Sequence, residues 1–380
     1  MPIENWGLLP KSQVDSETIE EAIARLITAH NDDETAHLDV GQSLQSHASS
    51  EIIDHLADSV LNDKLQLQSR AYTAIVSKTG TDFSDIQEAI DYVFDQGGGN
   101  VLIAVGTYIL SENLCLRTGV SLEGFADDLS IINCNGFQII TSAYDEEGNP
   151  YWDDDASNID VRYIGIKNGA SNMVLGYGSL NFYKCRFYDG SGSLVLDYGG
   201  GNVFDSCIFS FTLTFFNAHA SSSIYGIGDG EGVSSKIINC KFYNCPIAMY
   251  CGESNVIVNN QIDRCTIGIK LGYPGSTINS NDINNALGYG IYVDNSTQTV
   301  VQGNMVNGDE RAGYYSSGHG IYLNNGDYAV ANGNRVSHFQ YGIYLVSTSV
   351  DCVIVGNLLI GNVSGGVYGN TTNNTIANNR

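Results

Sequence analysis

The sequence predicts a mainly β protein, a right-handed parallel β-helix, and three observations carry the prediction. First, from Val161 onward the pattern apolar-x-x-[Asn/Cys]-x-apolar recurs about every 22 residues. Its fourth position falls on Cys185, Cys207, Cys240, Asn260, Asn281, Asn304, Asn334, Asn357 and Asn379. Second, the apolar positions around that column are β-branched or aromatic and alternate over three to five residues, which is strand periodicity. Third, about ten residues later comes another short strand, written Gly-Ile in Gly268-Ile269, Gly290-Ile291, Gly320-Ile321 and Gly342-Ile343. Self-similarity at this period means stacked coils that bury their apolar sides against one another. A leucine-rich repeat would need a helical segment in each unit, and this region has no helical spacing. Two or three strands per turn fit the repeat. Asn at a fixed corner is expected both to tolerate left-handed backbone and to bond its amide to the next coil. Cys in the same slot serves as a small buried residue. The long intervals from Cys207 to Cys240 and from Asn304 to Asn334 are expected to bulge as loops.

Three segments follow in order: a helical attachment or oligomerisation region over residues 1–70, a linker and cap over 71–125, and the β-helix over 126–380. In the first, Ile19, Ile23, Leu26 and Ile27 have helical spacing after Ser16-Glu17-Thr18, and Ile52, Ile53, Leu56 and Val60 form a second narrow stripe. Two such stripes cannot close a core, so they need copies of themselves or a partner. The order Ala29-His30-Asn31, Ala36-His37-Leu38, Gly41-Gln42-Ser43-Leu44, His47, Glu51-Ile52-Ile53-Asp54-His55 and Ser59-Val60-Leu61-Asn62-Asp63-Lys64 resembles N-terminal segments of tail-associated structural proteins from phages and prophages. That likeness covers about a sixth of the chain.

From Asp82 the run Asp82-Phe83-Ser84-Asp85-Ile86-Gln87-Glu88-Ala89-Ile90-Asp91 is followed by Gly97-Gly98-Gly99, Val101-Leu102-Ile103, Gly106-Thr107-Tyr108 and Leu122-x-Gly124. This resembles the N-terminal cap of the pectate-lyase-like superfamily. Family members commonly place a proline before Gly-Thr-Tyr, where this chain has Ala104-Val105. The resemblance implies an amphipathic helix (Ile86, Ala89, Ile90, Val93) covering the first coil, so that its strand edges are not left open. It implies a fold and not an activity, since the superfamily spans lyases, hydrolases, epimerases and inert virion spikes.

The bulk numbers exclude some classes. A formal charge of -25 and a pI near 4.3 argue against nucleic acid as a partner. Nine cysteines without a CxxC spacing argue against a thiol-bound metal or redox centre, and buried free thiols are expected. Met1-Pro2-Ile3-Glu4 lacks the basic start and apolar core of a secretory signal, and no run of 18 apolar residues suggests membrane insertion. Assembly in a host cytoplasm, with release by lysis, is the expectation that fits. The last residues, Asn374 to Arg380, repeat the coil motif and stop. An uncapped last coil is therefore expected, which invites association, a partner or a continuation of the chain, with a homotrimer the favoured assembly.

Catalysis on this fold would need paired acids, one donating a proton while the other activates water. Gly318-His319-Gly320 is similar to the Gly-His-Gly of polygalacturonase-like enzymes. Their Asp-Asp one coil earlier and their downstream Arg-x-Lys are missing, and His319 fills the repeat slot of Tyr289 and Tyr341. Asp309 and Glu310 precede it in an expanded loop, and Asp229 and Glu231 lie in the Gly-rich loop after Cys207. These five are the candidate catalytic residues. Asp153-Asp154-Asp155 is an oxygen-rich loop of a kind that suits calcium, without the alternation of a calcium loop; no other cofactor is expected. The second candidate site is aromatic. Tyr289, Tyr292, Tyr314, Tyr315, Tyr322, Tyr341 and Tyr344 recur near one strand, and stacked coils would align them into a ladder for sugar faces. The expected function is a virion tail spike or fibre. It would be held to tail or baseplate proteins by residues 1–70 and would contact host-surface glycan. A polysaccharide depolymerase and a ligand-free decoration protein are the alternatives.

Overall fold

The computed structural model describes residues 74–380, apart from 80–81, 142, 145–149, 152–157, 170–171, 177, 198–200, 212–224, 230–233 and 310–315. The helical stripes assigned to residues 1–70 lie outside the described residues, as do the Asp153-Asp154-Asp155 cluster and much of the two expanded loops.

The described chain is a solenoid with three strands per coil. Three parallel sheets run its length, with thirteen, eleven and eleven strands, and a two-stranded antiparallel ribbon pairs Ala143–Tyr144 with Pro150–Tyr151. Sheet A starts with Ala74–Val76 and Gly99–Ile103 and ends with Thr375–Ala377. Sheet B runs from Gly106–Ile109 to Leu358–Ile360, and sheet C from Leu114–Leu116 to Gly365–Gly369. The coils therefore begin within residues 71–125. Helix α1 (Ile86–Asp95) covers the first coil with Ile86, Ala89, Ile90 and Val93 buried, the face its spacing predicts. The Asp85 carboxylate accepts the Glu88 N–H at 3.0 Å, which satisfies one of the free donors at the helix start.

The core follows from the repeat. Residues three before the Asn/Cys column stack in sheet A, with Phe182 paired to Phe204, Ile237 to Ile257, and Ile278 to Val301. Residues two after it stack in sheet B, where Phe187, Phe209 and Phe242 form a face-to-face pile at 4.8 and 4.7 Å. All of these side chains are buried.

The corner column confirms one expected role of Asn and moves the other. Each amide bonds along the solenoid: Asn281 Nδ2 donates to Asn304 Oδ1 and to the Ile257 carbonyl, both at 3.0 Å. The left-handed backbone, however, sits one residue earlier, at Asn259, Ser280, Gly303, Gly333, Gly356 and Asn378. The reason is steric. The column residue must point its side chain into the solenoid, so the bend falls on the residue before it. All nine cysteines are free and buried. Cys185, Cys207 and Cys240 donate Sγ–H to the Val161, Phe182 and Phe204 carbonyls at 3.3, 3.4 and 3.4 Å. Cys240 thus uses the bond that the next rung makes from Asn260 Nδ2 to the Ile237 carbonyl. Burial pushes the Cys207 thiol well above its usual pKa, which keeps it a protonated donor.

Candidate functional site

The outer face of sheet C gathers the aromatic side chains. Strict alternation would send residues three apart, such as Tyr289 and Tyr292, to opposite faces. In Tyr289–Asp294 the intervening Gly290 and Ile291 are both buried, so the two tyrosines emerge on the same side. Gly290 is required there. A Cβ would stand 2.1 Å from Val306 Cγ1 and 2.8 Å from the Gly320 carbonyl oxygen, and Gly320 meets Val336 in the same way. The Gly-Ile signature thus creates a double column of outward rings.

Parallel pairing carries the two columns from coil to coil. Tyr292, Tyr322, Tyr344 and Tyr368 are consecutive partners in one column. His319 pairs with Tyr341 in the other. In the first column the successive ring centroids lie 5.0, 5.4 and 5.4 Å apart. Across the columns, Tyr289 stacks on Tyr292 at 5.1 Å, His319 on Tyr344 at 4.4 Å and Tyr341 on Tyr368 at 4.5 Å. The result is one continuous platform of seven partly exposed rings. Asp294 and Asn324 border it, joined at 2.8 Å through Asn324 Nδ2. Asn325 Nδ2 donates to Asn295 Oδ1 at 2.7 Å beside them.

Electrostatics keep the platform neutral. Burial, followed by the nearby Asp294 carboxylate, pushes the Tyr292 phenol up to about 12. Burial and the surrounding phenols and carboxylate also raise Tyr322. Burial lowers the pKa of His319, and the Gly318 backbone offsets this only in part. His319 Nδ1 is itself buried and makes no hydrogen bond. The Tyr292 and Tyr322 hydroxyls are therefore neutral donors, and the imidazole is neutral near pH 7.

The structure thus brings together Tyr289, Tyr292, Tyr322, Tyr341, Tyr344 and His319. His319 occupies the tyrosine slot that the repeat assigns it. Tyr314, Tyr315, Glu310 and Glu231 lie outside the described residues, and so does the Asp229 side chain, although the backbone of Asp229 pairs with that of Asp197. Asp309 is buried at the end of its strand, its N–H donating to the Ala286 carbonyl at 3.2 Å. Among the described residues no group of three His, Cys, Asp or Glu is placed to hold a metal ion, and no helix is long and apolar enough to cross a membrane. Sequence reading missed Tyr368, because its coil reads Gly366-Val367-Tyr368 in place of Gly-Ile-Tyr. It also missed Tyr250 and Lys270, which precede the tyrosine run in the same column.

Comparison with known proteins places this architecture. The family model described as a right handed beta helix region matches residues 169–319. The chain is a right-handed parallel β-helix that resembles phage tailspikes in fold. A mutant tailspike of E. coli bacteriophage HK620, in complex with a pentasaccharide, superposes with a TM-score of 0.58 at 14% identity, over 77% of this chain and 60% of that one. The chain therefore spans less than two thirds of that tailspike. PfbA, a surface adhesin of Streptococcus pneumoniae, gives a TM-score of 0.52 at 15% identity, covering 81% and 88% of the two chains. DFA-IIIase from Arthrobacter chlorophenolicus A6 gives 0.54 at 14% identity, covering 86% and 90%. No curated protein matches the sequence significantly. The fold is thus shared by tailspikes, an adhesin and carbohydrate-active enzymes.

Proposed function

We propose that the chain is a virion tail spike or fibre that attaches to host-surface carbohydrate through the sheet C platform. The observation that carries this reading is the double aromatic column. Pyranose rings present apolar faces that lie on aromatic rings, while their hydroxyls seek amides and carboxylates. Tyr292, Tyr322, Tyr344 and Tyr368 supply the faces, and Asp294, Asn295, Asn324 and Asn325 supply the polar border. One ring per coil recurs at the strand spacing of roughly 5 Å, which is about the length of one sugar in an extended glycan. The glycan then lies along the solenoid axis. Residues 1–70 moor the spike to other tail or baseplate proteins, and three copies form the particle-bound unit, assembled in the host cytoplasm. The superposition with tailspikes supports this setting, and the fold also occurs in a surface adhesin.

The test is binding of the full-length protein to purified envelope polysaccharides from a panel of bacteria, with reducing-end release measured in parallel. Tyr322→Ala and Tyr344→Ala should each weaken binding about tenfold while sedimentation still reports three copies. Full-strength binding by both variants would remove the platform from the reading. Release of reducing ends by the wild-type protein would favour a depolymerase.

A further inference from the structure

A cation interrupts the aromatic column of sheet C. Lys270 stands in register between Tyr250 and Tyr292, its Nζ 5.1 Å from the Tyr250 ring centre and 5.6 Å from that of Tyr292. Among the described residues the ion pairs are Arg117 with Asp91, Arg162 with Asp160, and Arg264 with Asp263, so the Lys270 ammonium has no carboxylate partner there. Two π-faces hold it at the head of the platform. Other described lysines also lack a carboxylate partner, but among the described cations Lys270 alone lies over two tyrosine rings.

Resting on the glycan reading above, we infer that the ligand is an anionic polysaccharide. Its acidic group sits on Lys270, and its neutral sugars run along Tyr292, Tyr322, Tyr344 and Tyr368. An ammonium donates charge-assisted hydrogen bonds that a neutral sugar does not exploit fully. The acidic surface elsewhere repels a densely charged polymer. One cation followed by four phenols therefore matches a sparsely charged chain, with one acidic sugar among several neutral ones.

The experiment uses an array of purified bacterial envelope polysaccharides, acidic and neutral, probed with the full-length protein. The best acidic binder is tested again after carboxyl reduction and, separately, after removal of phosphate esters, which identifies the anion. Wild-type protein should prefer acidic chains. Lys270→Met, which keeps the apolar stem, should lose about tenfold in affinity for them. Lys270→Arg should retain most of it, and neutralised polysaccharide should bind wild type as weakly as untreated polysaccharide binds the Met variant. Equal binding of neutral and acidic chains, or an unaffected Lys270→Met, would overturn the inference. If Tyr322→Ala still weakens binding about tenfold in that case, the platform reading survives. If no polysaccharide binds, or Tyr322→Ala has no effect, both fall together.

Discussion

At the first corner of each coil, Cys185, Cys207 and Cys240 occupy the column that Asn260, Asn281, Asn304, Asn334, Asn357 and Asn379 occupy further along. The cysteine coils carry phenylalanine inside, in the pile Phe187, Phe209 and Phe242. The asparagine coils carry smaller aliphatic residues at the stacked positions, such as Ile278, Val301 and Ala331, with Phe339 a buried ring among them, and their outer face on sheet C carries the tyrosine columns. The phenylalanine pile ends at Phe242 and Ile262 follows it in register, so the core and the corner chemistry change at the same point. Each thiol makes one bond to the carbonyl of the preceding coil. An interior amide makes four: Asn304 donates to the Ile278 carbonyl and to Asn334 Oδ1, and its Oδ1 accepts from the Asn281 N–H and Nδ2. The comparison teaches that the early coils are held by apolar bulk and the later ones by a polar ladder, which leaves aromatic surface free for the outside.

Truncating one ring on each side of the wall tests this most strongly. Phe209 lies between two parallel rings, so Phe209→Ala should cost about 4 kcal/mol through lost burial and the cavity left behind. Tyr322→Ala removes a half-exposed ring and should cost about 1 kcal/mol. Thermal midpoints of the two variants measure the difference. Equal losses would mean that the platform is a structural element.

The ladder comes next. Asn304→Ala strips four hydrogen bonds and leaves the Ile278 carbonyl, the Asn281 amide and the Asn334 acceptor buried without it, at a cost of about 3 kcal/mol. Reciprocal exchange across the boundary then sharpens the contrast. Asn260→Cys should keep the bond to the Ile237 carbonyl and lose the rest, costing about 1.5 kcal/mol. Cys240→Asn should extend the ladder by one rung and be neutral or stabilising by about 1 kcal/mol. If Cys240→Asn proved as damaging as Asn304→Ala, the two rung types would not be interchangeable, and the early coils would be too full for an amide.

Most of this architecture was legible because a solenoid writes its geometry as a period. The column and the stacked core positions follow from spacing alone, and the covering role of α1 from the resemblance of its segment to a known cap. The platform was legible in part. Tyr289, Tyr292, Tyr322, Tyr341 and Tyr344 share one signature, but Tyr368 sits behind Gly-Val, and Lys270 has the wrong chemistry for a search by residue type. The left-handed corner was assigned one residue late, because Asn is favoured both at positive φ and as a buried amide. The sequence places asparagine in both roles at Asn259-Asn260 and Asn378-Asn379, where spacing cannot tell the roles apart.

The smallest expected effect concerns the one slot where the tyrosine column is broken. Burial lowers the pKa of His319, so the folded protein prefers the neutral imidazole. Between the folded pKa and the unfolded value of about 6.5, the unfolded chain binds more protons. Stability that is fully present above pH 6.5 is therefore lost as pH falls toward the folded pKa, and it levels off below that. The ring is only half-buried, so solvent screening keeps the loss small. His319→Tyr restores the column of Tyr289 and Tyr341 and removes the titration. Its thermal midpoint should fall less than that of the wild type between pH 7 and pH 5. The slot also faces the rings of Tyr322 and Tyr344, and the Tyr322 phenol, raised by burial, adds no slope of its own in this range. Parallel midpoints in the two proteins would mean that protonated His319 swings out to solvent without cost, and that the platform tolerates a gap at its centre.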